Sequence, residues 1–141
     1  MGSVPTEMTD RGPVPGTVIV TRVAEEAMDE NTLVTWGTAN QSCRKADATD
    51  ILMGWTAERV VAVDNKVSVH LYSSMWKGIV ADDSNTIYDG DALEQSANGE
   101  VRRGVVGSGN QIVFYAMDDA VAGTFVLMIY NCCAVATAVE S

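Results

Sequence analysis

Residues 38–45 read Thr38-Ala39-Asn40-Gln41-Ser42-Cys43-Arg44-Lys45, and fifty-eight positions on the chain reads Ser96-Ala97-Asn98-Gly99-Glu100-Val101-Arg102-Arg103. The echo extends outward from both copies. Upstream, Met28-Asp29 and Leu33 correspond to Tyr88-Asp89 and Leu93 at a spacing of sixty. Downstream, Glu58-Arg59-Val60-Val61-Ala62 corresponds to Asp118-Asp119-Ala120-Val121-Ala122, again at sixty. The spacing changes only where a loop can lose or regain two residues. Residues 28–72 are thus repeated at 88–130, and short repeats bury their apolar faces against one another. Two copies of a small module imply a scaffold rather than a chain built around one catalytic centre.

The local pattern of each copy is β. Residues 66–72 alternate with period two, Val67, Val69 and Leu71 facing one way and Ser68, His70 and Tyr72 the other. β-Branched and aromatic runs predict further strands over 17–23, 32–36, 51–56, 76–81, 92–95, 111–116 and 125–130. Gly54 marks a bend in the 51–56 run, and 58–63 is ambiguous. Residues 37–45 read as turn-rich. Turns are placed at Asp64-Asn65, Asp82-Asp83-Ser84-Asn85, Asp89-Gly90-Asp91 and Ser108-Gly109-Asn110. Asn98-Gly99 is the strongest short hairpin signal in the chain. About ten short strands with little helix predict an all-β fold, a small sandwich or barrel built from two quasi-repeated modules over residues 16–141. Residues 1–15 carry Pro5, Pro13 and Pro15, which exclude a helix and predict an extended arm, either a frayed terminus or a segment that orders on a partner by strand addition.

Composition narrows the partners. The chain has 141 residues, 47% of them hydrophobic, an ordinary globular share. Nine basic residues against nineteen acidic ones give a net charge of −10. That balance disfavours nucleic acid and anionic membranes, both of which need Lys and Arg, and it favours solubility at high local density. Cys43, Cys132 and Cys133 are odd in number and two are adjacent, so a disulfide framework is not expected and reduced thiols are. No signal peptide is read in the first sixteen residues. Residues 120–139 are uncharged and long enough to span a bilayer, yet the repeat, Gly123, Asn131 and the absence of basic flanks read them as strand. The last residues, 132–141, either extend the final strand or lie over an apolar surface.

The catalytic inventory is thin. His70 is the single histidine and sits mid-strand opposite three aliphatics, the place of a surface or partly packed side chain. No second histidine and no cysteine spacing completes a zinc site. No nucleophile elbow and no phosphate-binding glycine pattern is present. The pairs Glu25-Glu26, Asp82-Asp83 and Asp118-Asp119 lie near loops and read as solvated turn charges, since adjacent strand residues point to opposite faces. Asp89-Gly90-Asp91 lacks the remainder of a calcium loop. Trp36, Trp55 and Trp76 read as core anchors, with an interface role for any that is exposed. The basic doublets Arg44-Lys45 and Arg102-Arg103, one per repeat, read as a solvated face or as contacts to an acidic partner. No catalytic residue, cofactor or metal site is expected.

Several segments, in order, resemble a known family. Asp89-Gly90-Asp91-Ala92-Leu93-Glu94 followed by Ala97-Asn98-Gly99-Glu100-Val101 resembles a Gly-Asp-x-(Leu/Val) … Ala-x-x-Gly-x-Val segment of bacteriophage head decoration (capsid cement) proteins. Tyr115-Ala116-Met117-Asp118-Asp119-Ala120-Val121-Ala122-Gly123-Thr124-Phe125-Val126 resembles the segment that follows it there, and Val67-Ser68-Val69-His70-Leu71 a strand of the same family. The likeness spans residues 16–130. It implies a virion protein, made in the bacterial cytoplasm, that binds the major capsid protein on the outside of an assembled head and stabilises the expanded shell. It also implies a homotrimer, with a dimer as the alternative, and no direct contact with nucleic acid or membrane. An arm containing Val4, Pro5, Thr6, Pro13, Val14 and Pro15 would touch the shell. The length, the three tryptophans and Cys132-Cys133 depart from many members. The competing readings are another β-rich virion component, such as a tail tube or head–tail joining subunit, and a carbohydrate-binding β-sandwich; an enzyme on such a sandwich would depend on His70, and a membrane anchor on residues 120–139.

Overall fold

The structure, a computed structural model, describes residues 18–72, 75–105 and 109–131. Within them the chain forms ten strands: β1 (Val18–Ala24), β2 (Leu33–Trp36), β3 (Ser42–Lys45), β4 (Gly54–Thr56), β5 (Lys66–Tyr72), β6 (Trp76–Ile79), β7 (Ala92–Gln95), β8 (Val101–Arg103), β9 (Ile112–Ala116) and β10 (Phe125–Tyr130). The first five close into a barrel in the order β1-β3-β2-β4-β5, with β1 antiparallel to β5 and parallel to β3. The second five form a sheet in the order β6-β10-β9-β7-β8. A parallel bridge from Val80 to Val101 carries the end of β6 to β8, as Ala24 meets Cys43 in the first unit. Replacing each strand of the first unit by the strand five places on therefore reproduces the neighbours of the second.

The backbone hydrogen bonds match bond for bond. Asn31 N–H donates to Thr56 O and Thr56 N–H to Thr32 O, both at 2.9 Å; Gly90 N–H donates to Ala116 O and Ala116 N–H to Asp91 O, also at 2.9 Å. The reciprocal bridge Met28↔Val60 is answered by Ile87↔Ala120. Asp64 N–H reaches Ala24 O at 2.8 Å and Gly123 N–H reaches Val80 O at 2.9 Å, with φ of 70° and 81° at the two donors. Cys43 stands for Val101 and Val60 for Ala120, at the spacings the sequence indicated. The upstream segment differs by one. Met28 corresponds to Ile87 and Leu33 to Ala92, so the side-chain likeness of Met28-Asp29 to Tyr88-Asp89 is out of register with the backbone. A one-residue slip reverses the face a strand residue presents, and identity matching alone does not sense it.

Each unit encloses its own apolar interior, and the enclosed residues are the matched ones. Ala24, Met28, Val34, Cys43, Val60, Val67 and Val69 fill the first; Val80, Ile87, Leu93, Val101, Ala120, Val126 and Met128 fill the second. Leu33, Ala46 and Trp55 are packed not into the first interior but with the second cluster, forming the seam between the units. The β7–β8 turn, Ala97–Gly99, presses on this seam: Gly99 N–H donates to Ala46 O at 2.7 Å, and the Gln95 amide donates to Asp47 O and Asp50 O at 2.9 and 3.1 Å. Gly99 has φ +73°, and a Cβ there would stand 2.4 Å from Thr32 Cγ2 and 2.5 Å from Leu33 O. Both the left-handed backbone and the close approach require glycine.

Two strands were missed by the sequence reading. β3 and β8 lie in stretches rich in Ser, Asn, Arg and Lys, where pairing rather than propensity makes the strand. The 51–56 run is shortened to Gly54–Thr56. No helix among the described residues is long and apolar enough to cross a membrane. Of the uncharged stretch, 125–130 is β10, while 132–139 lies outside the described residues.

Candidate functional site

His70 projects from the outer face of β5, and its ring stacks on Trp55 with centroids 4.0 Å apart. Gly54 makes room for this: a Cβ at that position would lie 1.9 Å from His70 O. Burial first, and then the positive charge of Lys77, hold the imidazole below its ordinary pKa. Its Nδ1 and the Trp55 Nε1 are buried without hydrogen-bond partners. No carboxylate among the described residues is bonded to this histidine in the manner of a catalytic pair.

The paired carboxylates organise loops. The Glu25 carboxylate accepts from the Ser42 hydroxyl at 2.6 Å, from Ala39 N–H at 3.0 Å, and from Thr38 N–H and hydroxyl at 2.7 and 3.0 Å. The Ser42 and Ala39 bonds lead in lowering its pKa to about 2, against a desolvation cost. Glu26 accepts from Lys45 N–H at 3.0 Å. Asp118 and Asp119 accept from Leu127 and Asp89 N–H groups at 3.2 and 2.8 Å. These groups are acceptors already committed to the backbone, which is more than the solvated charges expected of them.

The basic doublets are also more engaged than a solvated face. Arg102 reaches Glu94 through Nε at 3.1 Å and Nη2 at 3.0 Å, and Asp83 through Nη1 at 3.5 Å. Glu94 is wholly buried and accepts further from Asn110 at 2.8 Å and from Val105 N–H at 2.9 Å. Arg44 pairs with Asp50 at 3.1 Å and Arg103 with Asp91 at 3.3 Å. The sequence signal for Glu94 was available: the Asn98-Gly99 turn sets Glu94 opposite Arg102 across the hairpin. No group of three or more His, Cys, Asp and Glu among the described residues is placed to hold a metal ion. Cys43 is buried in the first barrel, which pushes its thiol up to about 11 and leaves it a poor nucleophile.

What the surface offers instead is contact area. Trp36 is 53% exposed, unlike the buried Trp55 and Trp76. A cleft of about 350 Å³ between the units is lined by Asp29, Glu30 and Arg59 from the first and Ile79, Gly123 and Phe125 from the second. A smaller one, of about 190 Å³, shares Asp29 and Arg59 with it and adds Ala27, Met28, Lys45, Val60 and Val61. Glu100 has its pKa raised by burial and by Asp82, with Lys45 opposing and Asp83 and Asp29 adding to the rise. Val61 and Val121, at corresponding places in the two units, are both exposed, as are Phe125, Tyr88 and Met117. The arm residues Val4, Pro5, Thr6, Pro13, Val14 and Pro15 lie outside the described residues, as do Cys132 and Cys133. The surface residues that the sequence reading did not single out, Phe125 and Val61 above all, are apolar strand and loop residues whose exposure depends on tertiary packing.

No protein-family model matches the chain, and no curated protein sequence matches it significantly. Among solved structures it is similar to the head fiber gp8.5 N base of bacteriophage phi29, with a TM-score of 0.63 and 19% identity. The alignment covers 82% of this chain and 94% of the other. At that identity the likeness is one of fold.

Proposed function

We propose that this chain is a structural, non-enzymatic protein of a tailed-phage virion that sits on the outer surface of the head and stabilises the expanded shell. The observation that carries the proposal is the shared fold with a head fiber base, extending over 94% of that chain. The ordered resemblance of residues 16–130 to head decoration proteins supports it independently. So does the surface: Glu25 and Asp119 are committed to loops, and the exposed Phe125 stands at a cleft whose Asp29 is paired with Arg59 at 3.7 Å. A shell-binding protein needs complementary surface in many copies. Weak contacts then suffice, because linking several sites through one oligomer raises the effective concentration of each next contact. The partner is the major capsid protein, and the oligomer a trimer or a dimer. A net charge of −10 keeps a densely covered particle from self-association.

A second reading is favoured by the likeness to the base of a head fiber: the two β units as the seat of a projecting head fibre. Purified protein mixed with expanded heads stripped of outer proteins separates these readings from their rivals. Saturable co-sedimentation at a lattice stoichiometry is expected. Assembly into rings or tubes without heads would instead identify a tail component, and retention on polysaccharide without head binding a carbohydrate-binding module.

A further inference from the structure

We propose that the outer face of the second unit around Phe125, Leu127 and Met117 is the surface that meets the head, and that it fits an apolar patch ringed by Lys and Arg. The inference rests on the proposed function for the identity of the partner, and adds which face of the molecule is used. The repeat supplies the control. Thr56↔Val69 and Ala116↔Met128 are corresponding cross-strand pairs. Ala57 N–H donates to Ser68 O at 2.9 Å, as Met117 N–H does to Leu127 O at 2.8 Å. Lys66 therefore stands for Phe125, Ser68 for Leu127 and Ala57 for Met117. The inward residues between them match, Val67 and Val69 answering Val126 and Met128, all buried. The outward ones do not. Phe125 is 52% and Met117 45% exposed, where the first unit presents a lysine and an alanine. The two units share this backbone, so the fold itself does not call for large apolar groups there. A cluster of them left in water marks a contact surface.

The patch is continuous. Leu127 lies beside Met117 where β9 leaves β10, and Phe125 pairs with Ile79 of β6. Phe125 and Ile79 also line the cleft between the units. The border is acidic on two sides. Asp118 and Asp119, both exposed, follow Met117, and Asp29 and Glu30 stand across the cleft. The cations there are Lys77, opposite Leu127, and Arg59, which is already paired with Asp29 at 3.7 Å. In a chain of net charge −10, such a border repels a second copy and attracts a basic one. The charge thus selects a partner with an apolar centre and a basic ring over self-association.

Exchanging residues between the units tests this. Phe125→Lys combined with Leu127→Ser gives the second unit the side chains that the first already carries at those places. In co-sedimentation of the full chain with expanded heads stripped of outer proteins, the double variant is expected to bind at least about tenfold more weakly, with its circular dichroism and melting temperature close to wild type. Phe125→Ala alone is expected to weaken binding in the same direction, and serves if the double variant does not fold. The reverse exchange in the first unit, Lys66→Phe with Ser68→Leu, is expected to leave binding within about twofold. Wild-type binding is expected to fall several-fold as salt rises from about 0.1 to about 0.5 M. Wild-type binding that both Phe125 variants retain would overturn the choice of face and leave the proposed function standing. No wild-type binding to heads would overturn both. Loss of self-association in sedimentation velocity with head binding intact would assign the face to a second copy, and a lowered melting temperature with head binding intact would assign it to the chain itself; either overturns the proposal. Binding indifferent to salt would overturn the basic ring.

Discussion

Glu25 and Glu94 are the two carboxylates on which local structure most depends, and they are stabilised in different surroundings. Glu25 stands at a loop and gathers N–H and hydroxyl donors from Thr38, Ala39 and Ser42. Its pKa falls from 4.5 to about 2 in the folded protein. A depressed carboxylate contributes stability that is complete above the unfolded value and disappears as pH drops through the folded one. Thermal melts of the wild type are therefore expected to lose stability between pH 4.5 and about 2, and Glu25→Gln is expected to flatten that part of the profile while lowering the melting temperature at pH 7. An unchanged acid limb would remove Glu25 from the account. Glu94 is wholly buried and holds Arg102, Asn110 and Val105 N–H together. Removing one partner of a buried pair costs about 3–5 kcal/mol. Glu94→Ala is expected to fall near the lower end in urea unfolding, because Arg102 retains Asp83 and part of its access to water. Neither role was legible from residue type alone: the Glu25-Glu26 pair read as solvated turn charges, and Glu94 is marked only by the Asn98-Gly99 turn, which sets it opposite Arg102.

Among the elements, β5, β7 and β10 were readable to the residue because alternation or an apolar run stands between clear turn signals. β3 and β8 were not, for Ser-Cys-Arg-Lys and Val-Arg-Arg have no strand propensity to show. Their strand character is imposed by neighbours, yet the hairpin that contains β8 was announced by Asn98-Gly99, both of which take positive φ. The seam between the units was equally hidden. Leu33 sits on a strand of the first barrel but packs with the core cluster of the second. Leu33→Ala is expected to cost about 2–5 kcal/mol. It is expected to shift one cooperative transition, seen alike by tryptophan fluorescence and far-ultraviolet circular dichroism. Two separated transitions would mean that the two units are stable independently and that the seam contributes little.

On the scale of the whole molecule, the repeat announced two β units, and the structure supplies two units with one strand order, their backbone bonds matched from Ala24 and Val80 onward. The one-residue error upstream came from comparing side chains where only the ladder fixes register. The place of contact with a partner was not legible, because exposed apolar residues such as Phe125 and Val61 carry no signature until the chain folds. The arm is a separate expectation. A chain beginning at residue 16 is expected to keep its β-type circular dichroism, since among the described residues the two apolar interiors begin with Val20 of β1, which that chain retains, and to bind heads more weakly in co-sedimentation. Loss of the fold on that deletion would mean the arm is part of the core.

Electron cryomicroscopy of phage particles made with and without this chain tests the central claim most directly. The account predicts extra density of two small β units at regular sites on the outside of the expanded head, present in one preparation and missing from the other, with heads lacking it less resistant to heat. Heads that look the same in both preparations, or the two units found in the tail, would contradict it.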